Sequence, residues 1–419
     1  MTMLSPSIAT LYQNIKDVAS TIEHLSPIET ATDEQYWAEI SKAFAISRRN
    51  LNLNSGWTSP SPKMVSDAYI RYKHQEAATS STIWQMLAPQ FETIRSGLAE
   101  LFGCEFDEIA VTRNASESLQ ILLFGLDIRR GDEVVSTSQD YPRMLAALRQ
   151  REMREGPHLK LVRIPLAPES TDEIVAAIES AITSRTRLIL VSHMINITGQ
   201  IMPVRKICDM ARLRGIETVV DGAHSFAQLD FKRDDLQCDY FGSSLHKWLY
   251  TPKGAGLLYV KKECTKNVWP LMASDDTKKS DIRKFEEIGT HSSAIRLAIG
   301  EALLFHEAVG PKRKEERLRY LSSYWMNRLR KLPGITLNTS MDPEQFCAIG
   351  NFSIEGGDVT KVNEYLLRTH KIIATPIVHD EFTGIRITPN IFTTLSELDH
   401  FCQVIEKIVQ KPLPRELRS

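Results

Sequence analysis

The sequence predicts an α/β protein in which a mostly parallel seven-stranded sheet is covered by helices and followed by a smaller α+β C-terminal domain. Short apolar runs alternate with amphipathic segments between residues 108 and 260, and such alternation is typical of parallel sheets. Several runs are rich in Val, Ile and Leu without strict alternation, as expected for strands buried on both faces. Beyond residue 290 strands and helices mix in another order, which favours a separate domain.

Seven runs are predicted as strands of the large sheet. Helical patterns separate most of them, and the pattern VRKICDMARLRG ends at Gly215, a residue type common at helix ends. The last two runs have no helix between them, so we expect an antiparallel strand at the sheet edge. The runs are EIAVT (108–112), DEVVST (132–137), KLVRIPL (160–166), RLILVS (187–192), ETVVDG (217–222), DYFGSS (239–244) and GLLYV (256–260).

The C-terminal part contains four further apolar runs and several helical patterns. We predict a large α/β domain over residues 51–290 and a small α+β domain over residues 291–419. Residues 1–50 are predicted to form a helical arm that packs on the small domain or on a partner subunit. The predicted strands are GITLNTS (334–340), AIGNFSI (348–354), KIIATPI (371–377) and GIRITP (384–389), and the predicted helices cover residues 294–309, 312–331, 359–369 and 395–410.

The charge balance and the cysteines argue against several classes of protein. The 419-residue chain has 51 Lys and Arg residues against 52 Asp and Glu residues, a formal net charge of −1, so neither nucleic acid nor an anionic membrane is indicated as a partner. The six cysteines form no C-x-x-C motif, which disfavours a metal site or disulfide scaffold and indicates a reduced, cytoplasmic protein. No run approaches the roughly 20 apolar residues of a membrane span, and we expect no signal peptide.

Polar residues follow the predicted strands, where ligands bind in open α/β sheets. TRNASES (112–118) opens a helix, and its small residues leave backbone N–H groups free to hold an anion at the positive end of the helix dipole. Asp221 ends a buried strand in VVDGAH, and SSLHK places Lys247 among apolar residues. An anion cradle, a buried acid and a desolvated lysine at one sheet edge suit a phosphorylated aldehyde cofactor, pyridoxal 5′-phosphate.

This chemistry explains why a lysine lies among apolar residues. Burial lowers the pKa of a lysine, and only the neutral amine attacks an aldehyde, so Lys247 is expected to form a Schiff base. Asp221 is expected to keep the ring nitrogen protonated, so that the ring accepts electrons from the substrate's α-carbon. After the substrate displaces it, Lys247 becomes a base for the α-proton. The alternative for an isolated lysine is a surface side chain whose stem lies along apolar neighbours.

The stretch VDGAHSFAQLDFKRDDLQCDYFGSSLHKWLYTPKGAGLLYV (220–260) resembles the core of the class V aminotransferase family of fold-type I pyridoxal-phosphate enzymes. The similarity covers most of the chain, from about residue 51 to residue 399. Its specific signals are the aspartate, the histidine after D-G-A and the S-x-H-K group. The later stretch HDEFTGIRITPNIFTT is similar to the isopenicillin N epimerase-like branch, which includes epimerases, aminotransferases and C–S lyases.

The resemblance implies a role for each residue of the expected cofactor site. Lys247 holds the cofactor, Asp221 pairs with the ring nitrogen and His224 lies near the ring's phenolic oxygen, so these three are the expected catalytic residues. Tyr141 is expected to stack on the ring, although core packing is an alternative for it. The residues expected around the phosphate are Asn114, Ala115, Ser116, Ser244 and His246.

Four further residues are expected near the substrate or a second subunit. Asn196 is expected near the substrate and the cofactor oxygen. Arg386 is expected to bind the substrate's α-carboxylate, where bidentate geometry favours arginine. Without the resemblance, the interpretation of Arg386 would be an ordinary cation at the end of a strand. Thr290 reaches the phosphate of the other subunit, which implies a homodimer with shared sites. Trp57, in SGWTSP, is a candidate for the mouth of the substrate site.

The cofactor leaves the reaction open. The leading interpretation is an enzyme acting at the α-carbon of an amino-acid-like substrate, by transamination or epimerisation. One base at Lys247 suits transamination, whereas epimerisation needs a second base that no sequence feature identifies. C–S cleavage or β-elimination is the second interpretation, although ATPIVHDEFTGIR (374–386) lacks the loop cysteine of desulfurases and Cys347 is expected to be packed. The third is a non-catalytic pyridoxal-phosphate sensor, which an intact Arg386 disfavours.

Overall fold

A computed structural model describes residues 5–79, 83–409 and 415–418, with the side chains of all of these except residues 83–86 and residue 415. The first hundred residues are mainly helical, and helices and strands alternate between residues 109 and 260. The helices are α1 (Pro6–Ser20), α2 (Pro27–Ala31), α3 (Glu34–Ser41), α4 (Lys63–Ala78), α5 (Ile83–Phe102), α6 (Ala115–Gly125), α7 (Pro142–Glu155), α8 (Thr171–Ser180), α9 (Val204–Arg212), α10 (Arg233–Leu236), α11 (Leu245–Trp248), α12 (Ala294–Leu297), α13 (Ile299–Val309), α14 (Pro311–Leu329), α15 (Val359–His370) and α16 (Leu395–Val409).

The strands form a large sheet, a four-stranded sheet and a two-stranded one. The large sheet has the order β2-β8-β7-β6-β5-β3-β4, and the four-stranded sheet has the order β12-β13-β10-β9. The strands are β1 (Leu51–Asn52), β2 (Ile109–Thr112), β3 (Glu133–Thr137), β4 (His158–Val162), β5 (Thr186–Ser192), β6 (Glu217–Asp221), β7 (Tyr240–Ser244), β8 (Gly256–Val260), β9 (Ile335–Leu337), β10 (Gly350–Ile354), β11 (Ile372–Ile373), β12 (Thr375–Val378) and β13 (Thr383–Ile387).

The large sheet confirms the predicted fold class. Five neighbouring strands, β4, β3, β5, β6 and β7, run parallel. Both faces are covered, because Val219 packs in one apolar cluster and Val220 in the cluster on the opposite face. Successive side chains of a strand point to opposite faces, so a strand buried on both sides reads as a continuous apolar run.

The position predicted for the antiparallel strand was wrong. β8 is antiparallel to its neighbours, but it lies between β2 and β7, and β2 forms the edge. All five residues of β8 are buried, as expected for an inner strand with partners on both sides. The outer edge of β2 is satisfied by side chains, since Val111 donates a backbone hydrogen bond of 2.7 Å to Glu286 and Arg95 donates to the carbonyl of Ile109.

Several predicted elements have different bounds in the structure; GITLNTS (334–340), for example, forms a strand only over Ile335–Leu337. KLVRIPL was predicted as a strand, but β4 ends at Val162, where its pairing with β3 ends. KIIATPI divides at Ala374 into β11 and β12, which belong to different sheets. The predicted helix over residues 294–309 is divided at Ala298 into α12 and α13.

Local sequence explains how individual helices of the large layer begin and end. In α9, Val204, Ile207, Cys208 and Ala211 are buried, a spacing that forms one apolar face along a helix. Gly215 follows this helix with a φ of +67°, a left-handed conformation that glycine adopts without steric cost. The sequence therefore directs α9 to cover the sheet and then turns the chain into β6.

The N-terminal segment crosses to the small sheet before it enters the large layer. β1 pairs in parallel with β11, and Leu53 packs in the apolar cluster of the small sheet. The earlier helices α2 and α3 contact α14, where Arg317 donates to the carboxylate of Glu34 and to the carbonyl of Ala31. The domain boundaries at residues 50 and 290 remain a prediction. Among helices in the described part of the chain, none combines the length and the apolar run of a membrane span.

Candidate active site

A cavity of about 490 Å³ opens at the carboxyl ends of β5, β6 and β7 and is bounded on its far side by β13. Neighbouring parallel strands end at the same edge of a sheet, so residues that are distant in sequence meet there. Every residue predicted for the site lines this cavity except Thr290. The predicted residues that line it are Trp57, Asn114, Ala115, Ser116, Tyr141, Asn196, Asp221, His224, Ser244, His246, Lys247 and Arg386.

A larger cavity of about 720 Å³ lies between α1, α4, α5 and α13. Its lining is mainly apolar and includes none of the residues predicted for the site. We take the smaller cavity as the candidate active site, because an amine, a buried carboxylate, a guanidinium and a helix N-terminus converge there.

Lys247 lies in the short helix α11 that follows β7. Its side chain is half-buried, and its Nζ atom lies 2.9 Å from Nε2 of His224. Burial lowers the pKa of Lys247 to about 8; the nearby carboxylate of Asp221 acts in the opposite direction and the cation of Arg386 adds to the lowering. A substantial fraction of this amine is therefore neutral near pH 8, unlike an exposed lysine.

Asp221 and His224 come from the end of β6 and the turn after it. Asp221 is buried, its Oδ1 atom accepts a 2.9 Å hydrogen bond from the backbone N–H of Ala223, and burial raises its pKa to about 6. His224 is buried as well, and burial followed by the charge of Lys247 lowers its pKa. The Nδ1 atom of His224 has no hydrogen-bond partner within the described residues.

The turn between β2 and α6 carries the predicted anion cradle. Asn114 caps α6 by accepting a 3.0 Å hydrogen bond from the N–H of Glu117, and the N–H of Ala115 donates to Oγ of Ser244 at 2.9 Å. Gly256 of β8 lies against this turn, because a Cβ atom there would come within 2.6 Å of the backbone of Asn114. His246 completes the group; burial lowers its pKa to about 4, so its imidazole is neutral.

Arg386, on β13, brings a buried cation to the opposite wall. Its guanidinium donates to the carbonyl of Asn196 at 2.9 Å and to Oδ1 of Asn54 at 2.9 Å, and burial lowers its pKa to about 10. No carboxylate in the described part of the chain lies within ion-pair distance of Arg386. Its Nε atom and the Oδ1 atom of Asn196 also have no partner there. A buried cation without a counter-ion can bind an anion.

Three predicted residues lie farther from these groups or outside them. Tyr141 precedes α7 and lines the cavity with 36% of its surface exposed, whereas Trp57 is 74% exposed at the rim. Thr290 is exposed and does not line the cavity. Its expected contact concerns the cofactor of a second subunit, so that role remains a prediction.

The sequence analysis missed Asp140, which precedes the predicted Tyr141. Its carboxylate is buried and accepts hydrogen bonds from the N–H of Thr137 at 2.8 Å and from the N–H of Ser192 at 2.7 Å. Asp140 thus links the carboxyl ends of β3 and β5, and its charge adds to the raised pKa of Asp221. Asp140 could have been predicted from the sequence, because it is an acidic residue that follows a buried strand. The cavity-lining residues that were also missed are Gly56, Leu119, Arg143, Met144, Ser192, Met194 and Ala223.

The expectation for Cys347 is confirmed. Cys347 is fully buried, burial raises the pKa of its thiol to about 12, and it does not line the cavity. Among the described residues that line the cavity, no cysteine is found.

Comparison with known proteins identifies the family. The sequence matches the aminotransferase class-V family over residues 51–375, and the chain belongs to this family. Isopenicillin N epimerase of Streptomyces clavuligerus is 27% identical over 390 residues, which cover 89% of this chain and 98% of that protein. The apo structure of a cysteine desulfurase from Thermococcus onnurineus NA1 has a TM-score of 0.78 at 21% identity, over 89% of this chain and 98% of that one. A variant of C-DES with glycine covalently linked to its PLP cofactor has a TM-score of 0.78 at 20% identity, over 87% and 98% of the two chains.

The predicted cofactor, pyridoxal 5′-phosphate, is confirmed by this family membership and by cofactor-bound structures of the same fold. The cavity fits such a molecule on its own chemistry. Asp221 offers a buried carboxylate that suits a protonated ring nitrogen, and the buried Nδ1 atoms of His224 and His246 have no hydrogen-bond partner among the described residues. The N-terminus of α6 suits a phosphate.

Proposed function

We propose that the protein is an enzyme that moves the proton on the α-carbon of an amino-acid-like substrate, with transamination or epimerisation as the outcome. The observation that carries this proposal is the placement of Lys247 and Arg386 in one cavity. Lys247 supplies an amine whose pKa burial lowers to about 8, and Arg386 supplies a buried guanidinium without a carboxylate partner among the described residues. An enzyme that acts on an α-amino acid needs an amine that accepts the α-proton and a cation that binds the carboxylate, and these two side chains offer both.

The proposed roles follow from the positions of the side chains. Arg386 binds the substrate carboxylate and orients the α-carbon towards Lys247. Asp221 binds the protonated ring nitrogen, and a cation there offsets the burial that otherwise raises the pKa of this carboxylate. Ser244, His246 and the N-terminus of α6 hold the phosphate. When bound, the cofactor withdraws electrons from the α-carbon and so makes its proton acidic.

Lys247 is the proposed base for that proton. Its Nζ atom already contacts the imidazole of His224, whose pKa is lowered by burial and by the charge of Lys247, so His224 accepts a hydrogen bond from the amine rather than competing for the proton. Return of the proton by the same amine to another atom gives transamination. Epimerisation requires a second group on the opposite side of the α-carbon; the epimerase relative supports this outcome.

The test begins with the visible absorption band of the purified protein. We expect Lys247→Ala to remove the Schiff-base band, whereas Lys262→Ala, a change on the surface, leaves it intact. A panel of amino acids is then incubated in D₂O. Exchange of the α-proton with production of a keto acid indicates transamination, and exchange with inversion of configuration indicates epimerisation. The absence of a band in the wild-type protein, or of exchange with every amino acid, contradicts the proposal.

C–S lyase activity is the second candidate, since the fold neighbours include a cysteine desulfurase and the cystine C–S lyase C-DES. Desulfuration by a cavity thiol is disfavoured, because Cys347 is buried away from the cavity. A lyase of the elimination type releases pyruvate and a persulfide or thiol without a protein cysteine. Release of these products from cystine that is unchanged in Cys347→Ala and lost in Lys247→Ala would favour this candidate.

We also propose a cytoplasmic homodimer with shared sites. The six cysteines are all free, which suits a reducing compartment. If Thr290 reaches the phosphate bound by the partner subunit, Thr290→Val lowers cofactor affinity although the residue lies outside the cavity of its own subunit. Light scattering measures the oligomeric state, and hybrid dimers of Lys247→Ala and Thr290→Val subunits, which contain one undamaged site, test the sharing.

A further inference from the structure

Lys247 lies in the short helix α11, which forms the turn after β7. The backbone carbonyls on either side of Lys247 accept hydrogen bonds from other segments of the chain. The carbonyl of His246, which precedes it, accepts a 3.2 Å hydrogen bond from the N–H of Ser59. The carbonyl of Trp248, which follows it, accepts a hydrogen bond from Nζ of Lys314. Carbonyls at the end of a helix have no partner within the helix, so α11 depends on such outside donors.

Lys314, on α14, lies beside this turn and is a fully buried lysine. Its Nζ atom lies 4.1 Å from the centroid of the Tyr250 ring and 3.4 Å from Nδ1 of His306, and no carboxylate in the described chain pairs with it. Burying an amine without a carboxylate is costly unless its hydrogen bonds are satisfied. The hydrogen bond to the carbonyl of Trp248 and the contact with the Tyr250 ring therefore stabilise the buried amine of Lys314.

Tyr250 and Asn390 connect the two sides of the turn. The hydroxyl of Tyr250 donates to Oδ1 of Asn390 at 2.6 Å, and Nδ2 of Asn390 donates to Oγ of Ser59 at 2.9 Å. Tyr250 has a φ of +63°, which residues with a Cβ atom adopt only where the surroundings impose it. Asn390 lies four residues after Arg386 on the chain that leaves β13, so the network also reaches the wall that carries the guanidinium.

We propose that Ser59, Tyr250, Lys314 and Asn390 form a positioning network that clamps the backbone on both sides of Lys247 and sets how deeply its amine is buried. None of the four residues lines the cavity, so they act through the turn and not on the substrate. The network joins four segments of the chain: the segment between β1 and α4 that carries Ser59, the turn after β7, helix α14 and the segment after β13. The inference rests on the proposed role of Lys247.

The experiment measures the depth of burial through the pH at which Lys247 reacts. The cofactor-free protein is mixed with pyridoxal 5′-phosphate across a pH range, reduced with borohydride, and the label on the Lys247 peptide is quantified by mass spectrometry. Tyr250→Phe removes the hydroxyl bond to Asn390 and keeps the ring beside Lys314. The matched control is Tyr259→Phe, because Tyr259 is equally buried and its hydroxyl has no hydrogen-bond partner among the described residues.

A looser turn admits water, and water raises the pKa of a buried lysine towards its ordinary value. We expect the midpoint of labelling to rise by about 0.5 pH unit or more in Tyr250→Phe, roughly a threefold loss of neutral amine at neutral pH. Ser59→Ala is expected to shift it in the same direction, and Tyr259→Phe is expected to leave it at the wild-type value. Thermal unfolding temperatures of the variants show that each is folded.

Equal midpoints for folded Tyr250→Phe, Ser59→Ala and wild type overturn the positioning network and leave the proposed role of Lys247 intact. If Tyr250→Phe does not fold, the Ser59→Ala midpoint decides. If the wild-type protein carries no label on Lys247 at any pH, both the proposed function and this inference are wrong.

Discussion

The Nζ atom of Lys247 lies 2.9 Å from Nε2 of His224, so an imidazole rather than a carboxylate holds the amine. A carboxylate in direct contact would favour the charged form of the lysine, whereas an imidazole whose own pKa is lowered by burial and by Lys247 adds no negative charge. Burial therefore decides the protonation of Lys247, and its pKa falls to about 8.

The reaction of the cofactor-free protein with pyridoxal 5′-phosphate is expected to speed up as pH rises. The neutral amine is the reactive form, and with a lowered pKa its fraction grows between about pH 7 and pH 9, with a midpoint near 8. Stopped-flow absorbance measures the rate, and Lys262→Ala serves as the surface control. A midpoint above pH 10 contradicts the burial of the amine.

Substitution of Arg386 is expected to weaken binding of carboxylate substrates. Arg386→Lys keeps the charge but loses the two-pronged geometry, and we expect KM to rise about 10- to 100-fold, the usual worth of hydrogen bonds to a charged group. The control is Arg187→Lys, since Arg187 is largely exposed. Steady-state kinetics measures the change. A substrate-like amine that lacks the carboxylate should bind Arg386→Lys and Arg187→Lys equally. If that amine bound Arg386→Lys more weakly, the carboxylate role of Arg386 would be ruled out.

A methyl group at Gly256 is expected to weaken cofactor binding. Its Cβ atom would lie 2.6 Å from the backbone of Asn114, which pushes the turn at the start of α6 away from Ser244. Loss of one well-placed hydrogen bond reduces affinity about tenfold. Titration of the visible band gives the dissociation constant. Gly300→Ala is the matched control because the nearest atom is 4.0 Å away; comparable affinities for the two variants would argue against the cradle.

Removal of the charge of Asp140 is expected to destabilise the fold more than an exposed substitution does. In Asp140→Asn, an amide N–H₂ faces the N–H of either Thr137 or Ser192, which leaves a buried donor unsatisfied at a cost of about 1–3 kcal/mol. Urea unfolding of the cofactor-free protein measures the loss. Asp172→Asn, which breaks an exposed contact with Lys206, should cost less than about 1 kcal/mol. Equal losses of unfolding free energy in Asp140→Asn and Asp172→Asn would contradict the stabilising role of the Asp140 carboxylate.

Much of the site was predictable because a parallel sheet brings the ends of its strands together. Asp221 ends β6 and Lys247 follows β7, and these two strands are neighbours in the sheet, so the motifs VVDGAH and SSLHK converge once the sheet is recognised. The capping of α6 by Asn114 and the stop at Gly215 are local properties of the chain. Each depends on residues within a few positions and on backbone stereochemistry alone.

Other features depend on contacts between residues far apart in sequence. The division of residues 371–377 into β11 and β12 follows from pairing of the first half with β1, about 320 residues away, and apolar periodicity carries no record of that partner. The same holds for β8, which is an inner strand because all four residues of β2 pair with it. Asp140 was missed because its partner Ser192 lies in another strand.

Strand–helix alternation and the residue types at strand ends were enough to predict the class of fold, the cofactor and Lys247 as the candidate amine. The lowered pKa of Lys247, in contrast, follows from contacts that exist only in the folded chain. In the folded chain the turn after β7 and strand β13 meet at one cavity, so Lys247 and Arg386 lie in it together, and no carboxylate among the described residues forms an ion pair with Arg386. Burial depends on where distant segments meet, and the pKa of a side chain depends on its burial.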